Sequence, residues 1–266
     1  MQQQEDAKFA AVVLAGSRGP DDPVAVEAGV AAKALAIIGG TPMVSRVVTA
    51  LAESRSIGQI VVVGLTDNAP PEVETVLDMH RVRRVAGSAT PSQSVIAAFS
   101  ALEPLVPVLV TTADHALLRS EYIDDFCARA RATGADVAVA LAAYQDVIAA
   151  CPDTRRTVSR FSDGGYCGCN LFGFLTERGR NAVGFWRRVE GQRKNPVKVI
   201  RSLGFLTLLR YLTGRLSLRQ GLEVLSRRAG ARVEPVLMPH GEAAIDVDSA
   251  DDLHRVRAMV ERRESL

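Results

Sequence analysis

Several short segments have the residue types and spacing to act on a phosphate ester. Gly16-Ser17-Arg18-Gly19 follows an apolar run and offers backbone N–H groups to phosphate oxygens. Gly16 and Gly19 lack a Cβ and admit close approach. Arg18 adds a guanidinium fork and Lys33 a second positive charge. The loop is neither a P-loop nor a Gly-x-Gly-x-x-Gly dinucleotide fingerprint, and by itself it reads equally well as an ordinary turn from strand to helix. Asp114 closes another apolar run, Val106 to Thr111. Open α/β sheets bind ligands at that end of a strand, and a carboxylate there suits Mg²⁺ shared with phosphate oxygens. His115 beside it reads as a polar contact rather than a base. Asp246 and Asp248 alternate at an expected strand end and so share a face. Asp251 and Asp252 read as first-turn charges favouring a helix dipole. Gly87 to Val95 opens a helix, where N–H groups are free and Ser92 or Ser94 can cap.

The elements that must position these residues are legible from periodicity. Phe9–Leu14, Ile60–Val63, Val82–Val85, Val106–Thr111 and Asp136–Leu141 read as buried strands. Between them, helices are expected over 42–51, 71–79, 92–102 and 119–132, the first with Thr41 as N-cap and Pro42 at its first position. The alternation predicts a mostly parallel, Rossmann-like central sheet flanked by helices. Beyond residue 142 the pattern changes. Thr157–Phe161 and Asn170–Phe174 read as strands around an Asp163-Gly164-Gly165 turn, and a long basic helical stretch covers 177–228. Val233–Met238 and Ala243–Val247 resume strand character, and Ser249–Arg262 is an amphipathic helix.

The order of the motifs is more specific than any one of them. Leu14-Ala15-Gly16-Ser17-Arg18-Gly19, Lys33-Ala34-Leu35 and Gly39-Gly40-Thr41-Pro42-Met43 together resemble the signature of the MobA-like nucleoside-triphosphate transferases. The resemblance implies a GT-A-like fold, with Leu14, Ala15, Gly16, Ser17 and Gly19 at the nucleotide. It implies that Arg18 and Lys33 contact the triphosphate and stabilise departing pyrophosphate. Gly87, Ser88 and Ser94 match the base- and ribose-binding turn of the superfamily's cytidylyltransferases, which points to a pyrimidine. Asp114 takes the place of the metal-holding Asp, with Ala116 where the motif has Pro. Asp246-Val247-Asp248 matches the C-terminal Asp-x-Asp, with Asp248 the stronger metal ligand. Gly168 and Asn170 fall in the region that meets the acceptor. Two departures stand out: Ala32 replaces the Pro before the Lys, and the Arg18–Lys33 spacer is long, carrying Asp21-Asp22-Pro23 as a candidate lid.

Composition bounds the rest. The 266 residues are 47% hydrophobic and 23% charged, enough for one large domain, with 9–142 as the nucleotide-binding half and 143–266 as the acceptor-binding half. A net charge of +2 gives no argument for nucleic acid. The four cysteines form no zinc pattern and read as reduced thiols. The N-terminus lacks the apolar core of a signal peptide, so a cytoplasmic protein is expected. The stretch from Arg187 to Arg215 interleaves Arg and Lys with Leu, Ile, Val and Phe. It reads as a helical insertion packed on the sheet, or as a surface for anionic lipid or a lipid-linked acceptor. The expectation is an Mg²⁺-dependent nucleotidyltransferase joining an NMP, of which CMP is one candidate, to a phosphorylated small-molecule or lipid-linked acceptor. A GT-A glycosyltransferase and a non-catalytic nucleotide-binding module are the rival readings.

Overall fold

A computed structural model describes residues 7–264 except 18, 20, 103–106, 190–195 and 203. Arg18, Arg193 and Lys194, and the expected strand start at Val106, therefore lie outside the described residues. The chain forms an α/β fold around one central sheet in the order β10-β7-β9-β6-β1-β4-β5. Its N-terminal strands are β1 (Phe9–Leu14), β4 (Ile57–Val63), β5 (Arg83–Val85) and β6 (Val108–Thr112). β4 and β6 flank β1 in parallel, and β5 extends the sheet beside β4. β1 is buried almost throughout, as a parallel strand covered on both faces must be. Across it lie β7 (Val137–Ala143) and β10 (Val233–Met238), also a parallel pair. The one long antiparallel strand, β9 (Gly164–Phe174), is wedged between β6 and β7 and pairs with the short β8 (Ser159–Phe161). A single sheet thus spans both halves of the sequence.

Helices α2 (Met43–Glu53), α3 (Pro71–Met79), α4 (Pro91–Ser100) and α5 (Ser120–Ala132) occupy the expected crossovers. Local chemistry shifts some boundaries. Gly39 and Gly40 have φ of 54° and 69°, which builds a two-residue hairpin turn and pairs β2 (Ile37–Ile38) with β3 (Thr41–Pro42). Thr41 is therefore a strand residue, not the N-cap. Pro42 takes the cap position of α2 without a side-chain bond. The long spacer before Lys33 is not an open loop. It folds as α1 (Pro23–Ala28), capped by the Asp22 side chain at one end and by Gly29 at φ 64° at the other, with Val24 and Ala25 buried.

In the C-terminal half α6 (Tyr144–Ala150) follows β7 directly. Among the described residues the basic stretch is broken into five helices rather than one: α7 (Glu177–Asn181), α8 (Val183–Val189), α9 (Pro196–Ser202), α10 (Phe205–Leu212) and α11 (Leu218–Ala229). Gly204 at φ 127° and Gly214 at φ 66° are among the breaks. Ala243–Val247 is not a strand. Gly241–Ala244 makes a 3-10 turn, and 245–249 run irregularly into α12 (Ala250–Glu264). The turn is forced by contact, because a Cβ on Gly241 would lie 2.0 Å from the Asp146 carbonyl oxygen of α6. Among the described residues no helix is long and apolar enough to cross a membrane.

Three glycines gather where β1, β4 and β5 end. A Cβ on Gly87 would lie 2.9 Å from Gly64 Cα, and one on Gly64 would lie 3.1 Å from Gly16 Cα. Gly16 itself faces open space. Gly87→Ala should therefore lower stability by about 1–3 kcal/mol through overpacking against backbone. Gly16→Ala should stay within about 0.5 kcal/mol of the parent. Urea midpoints of the two variants check this; equal losses would disprove the close-packed arrangement.

Candidate active site

The carboxyl ends of β1 and β6 open onto a cavity of about 420 Å³. Leu14, Ala15, Gly16 and Ser17 form one wall, and Ser88 to Pro91 with Ser94 form another. Lys33, Thr112 and Asp114 also face it. Gly19, at φ 105°, donates its N–H to Ser17 Oγ at 3.1 Å and so closes the first loop on itself. The second wall is shaped by α4, whose N-cap is Thr90. Ser94 does not cap that helix. Its Oγ accepts from Ser88 N at 3.0 Å and folds the loop over the helix. Gly87 does not line the cavity; it supports the wall from behind by packing on Gly64.

The charged centre is a lysine between two carboxylates. Lys33 Nζ lies 2.5 Å from Asp114 Oδ2 and 3.0 Å from Asp248 Oδ1. Lys33 stands on a 3-10 turn, Lys33–Leu35, and is largely buried. Burial favours its neutral form, but Asp114 and Asp248 outweigh that and hold its pKa above the ordinary lysine value. Thr112 Oγ1 fixes the other Asp114 oxygen by donating at 2.5 Å. The backbone aligns the partners too: Val247 N donates to Asp114 O at 3.0 Å and ties the C-terminal loop to the end of β6. Asp248 is placed by the start of α12. Its N–H donates to Asp252 Oδ2 at 3.3 Å, and Ser249 Oγ accepts from Asp252 N at 3.2 Å.

Asp246 has different partners. Arg156 grips both of its oxygens, and Asn170 Nδ2 donates to Oδ2 at 2.6 Å. Asn170 holds a φ of 50°, a left-handed conformation tolerated best by Gly and Asn. Gly168, two residues earlier on β9, pairs with Leu141 and leaves open space where a Cβ would stand. Asp248 thus answers Lys33, while Asp246 answers Arg156 and Asn170. Arg156 was not visible in the sequence, because it lies in coil between α6 and β8 with no local motif.

Two carboxylate oxygens converge on one cation position, which Lys33 now fills with a single positive charge. One negative charge is left over, and the donors are all oxygen, so Asp114 and Asp248 fit Mg²⁺ bound together with phosphate oxygens. Among the described residues no group of three or more His, Cys, Asp or Glu forms a complete metal cage. All four cysteines are unpaired and buried, and burial pushes the Cys127 thiol up to about 12.

Comparison with known proteins places this geometry in a family. Residues 11–265 match the MobA-like NTP transferase domain. The chain belongs to that family. A stretch of 125 residues is 38% identical to 2-C-methyl-D-erythritol 4-phosphate cytidylyltransferase of Streptomyces coelicolor (strain ATCC BAA-471 / A3(2) / M145), and it spans 44% of this chain and 44% of that one. The match thus takes in less than half the length of that curated relative. A hypothetical transferase of Thermus thermophilus is 29% identical over 92% of this chain and 99% of its own, with a TM-score of 0.75. The 4-diphosphocytidyl-2C-methyl-D-erythritol synthase of Anaerococcus prevotii DSM 20548 shares the fold at 14% identity and a TM-score of 0.59, covering 98% of this chain and 100% of its own.

His115, next to Asp114, is almost wholly buried. Burial drives its pKa from 6.5 to about 4; Asp114 opposes the shift and Arg156 adds to it. Between these values the unfolded chain takes up a proton that the folded chain refuses. Stability is therefore lost as pH falls from 6.5 towards 4, by on the order of 3 kcal/mol in all. His115→Gln should flatten this acid limb. Urea midpoints across the window test it, and parallel profiles for parent and variant would refute the buried neutral imidazole.

Proposed function

We propose that this chain transfers CMP from CTP to a phosphorylated acceptor and releases pyrophosphate. The observation that carries the reading is the Lys33 ammonium held between Asp114 and Asp248 in a polar cavity at the sheet's carboxyl edge. Backbone amides of the 15–17 loop and Lys33 receive the β- and γ-phosphates. The family resemblance assigns the charge of Arg18 to the same phosphates. The wall formed by Ser88, Ala89 and Thr90 with Ser94 takes the base and ribose. The cytidine assignment is supported by that wall's match to the cytidylyltransferase turn and by the S. coelicolor cytidylyltransferase.

An acceptor phosphate oxygen attacks the α-phosphorus in line. A new P–O bond forms as the bond from the α-phosphorus to the bridging oxygen breaks, and that electron pair leaves with pyrophosphate. Charge develops on the leaving group, where Lys33 stands ready as a cation at any physiological pH. Catalysis here is positioning and electrostatics, with no covalent enzyme intermediate. Mg²⁺ held by Asp114 and Asp248 would supply further neutralisation of phosphate charge. Asp246, gripped by Arg156, holds Asn170 towards the acceptor side, where Gly168 leaves open space.

Two measurements test the reading. In a thermal-shift panel of the four NTPs with Mg²⁺, CTP should raise the midpoint most, because a ligand bound only by the native state stabilises it. A larger shift with GTP or ATP would reject the cytidine assignment. Pyrophosphate release should then fall about 10²–10³-fold in Lys33→Ala. Asp114→Ala should lose a similar amount, and full activity in either variant would remove that residue from the mechanism.

A further inference from the structure

A second cavity, of about 380 Å³, lies between the sheet and the helices that follow β9. Val139 and Leu141 of β7 and Phe172 of β9 form its floor, and Trp186, Leu222 and Leu225 form its roof. Its walls belong to the same apolar cluster as Val12 and Val63 of the sheet and Val95 of α4, the helix that packs beside the nucleotide cavity. No charged side chain lines it among the described residues. Ser159 adds one hydroxyl, and the two tyrosine hydroxyls on the wall are engaged elsewhere: Tyr166 donates to Asp163 O, and Tyr211 accepts from Arg160 N. An apolar space of this size sheds water and forfeits dispersion contacts on every wall until an apolar occupant fills it.

Three observations identify that occupant as the chain of an anionic amphiphile. First, Leu141 on the cavity floor pairs directly with Gly168, so the space begins beside the acceptor end of β9. Second, residues 196–202 and 204–222, which supply Ile200, Tyr211, Leu218 and Leu222 to its lining, contain five Lys or Arg and no Asp or Glu. That charge selects an anionic head group. Third, α10 turns Tyr211 into the cavity but leaves Phe205 80%, Leu206 68% and Leu212 63% exposed. An outward apolar face flanked by exposed Arg210 and Arg215 is the form of an interfacial helix, through which a chain passes from a lipid phase.

We propose that the cavity takes the hydrocarbon chain of a membrane-derived, phosphate-headed amphiphile, and that this amphiphile is the acceptor. The second clause rests on the nucleotidyl-transfer reading; the first does not. Trp186 is the sole tryptophan, and it stacks on Phe172 with ring centroids 5.7 Å apart, so its emission reports on the cavity directly. The full chain is titrated with dodecyl phosphate below its micellar concentration, with glycerol 3-phosphate as the headgroup control. Dodecyl phosphate should give a saturable change in Trp186 emission, and glycerol 3-phosphate none. Val139→Phe and Leu222→Phe fill the space from floor and roof, and each should weaken the response about tenfold or more. The CTP-induced thermal shift in each variant confirms that it folds. A linear response, or one unchanged in both filled variants, would overturn the chain site. With CTP present, dodecyl phosphate should drive pyrophosphate release. Saturable binding without that release, in protein that still binds CTP and turns over a small acceptor such as glycerol 3-phosphate, would overturn the acceptor assignment. Failure to bind or turn over any nucleotide would instead reject the nucleotidyl-transfer reading and leave the chain site standing on its own titration.

Discussion

The structure depends most on one buried charge and the two that answer it. An ammonium in Lys33's position would be costly to bury alone, and two facing carboxylates would repel each other. Together they form an arrangement in which removing any member exposes the others. The three residues come from distant parts of the chain, Asp114 standing 81 positions after Lys33 and Asp248 215 positions after it. Most of the surrounding architecture can be understood as holding these groups in register. α1 sets the turn that bears Lys33, β6 ends at Asp114, and Ser249 and Asp252 cap the helix that follows Asp248.

The C-terminal loop shows how much support such a site needs. It has no strand ladder to fix it. Gly241 presses on the α6 backbone, and Tyr122 donates to Glu242 at 3.1 Å while stacking on His240. Arg263 of α12 pairs with the same glutamate. Farther along, Arg156 and Asn170 hold Asp246. A loop anchored at its turn, at Asp246 and at Val247 presents Asp248 in one place. This is preorganisation by many modest contacts rather than by one strong one.

Much of this was legible in the sequence, for identifiable reasons. The buried strands declared themselves as short β-branched runs, and the order Gly loop, lysine, strand-end aspartate, late Asp-x-Asp pointed to the family. What escaped was whatever depends on contacts distant in sequence. Ala243–Val247 has the composition of a strand, but Gly241's approach to α6 diverts it. Thr41-Pro42 has a helix-start signature, yet the two left-handed glycines before it draw it into a hairpin. Gly87 has the look of a ligand-binding glycine, and only the packed backbones reveal its contact with Gly64. Arg156 has no local signature; its role exists only because Asp246 is folded onto it. The Asp22-Pro23 pair is a cap and first-turn signal that could have announced α1, although from the sequence the spacer reads as a lid-like loop.

The sheet's connectivity also bears on how the molecule comes into being. As the chain leaves the ribosome, residues 9–114 can already assemble β1, β4, β5 and β6 with the glycine loop. Lys33 and Asp114 would then meet early. β10 must wait to join β7, and Asp248 is made 134 residues after Asp114. Pairings of such long sequence separation form slowly. The nascent protein therefore passes through a stage with half of its charged centre in place and the last carboxylate still missing, so the centre is assembled in two steps separated by more than a hundred residues of synthesis.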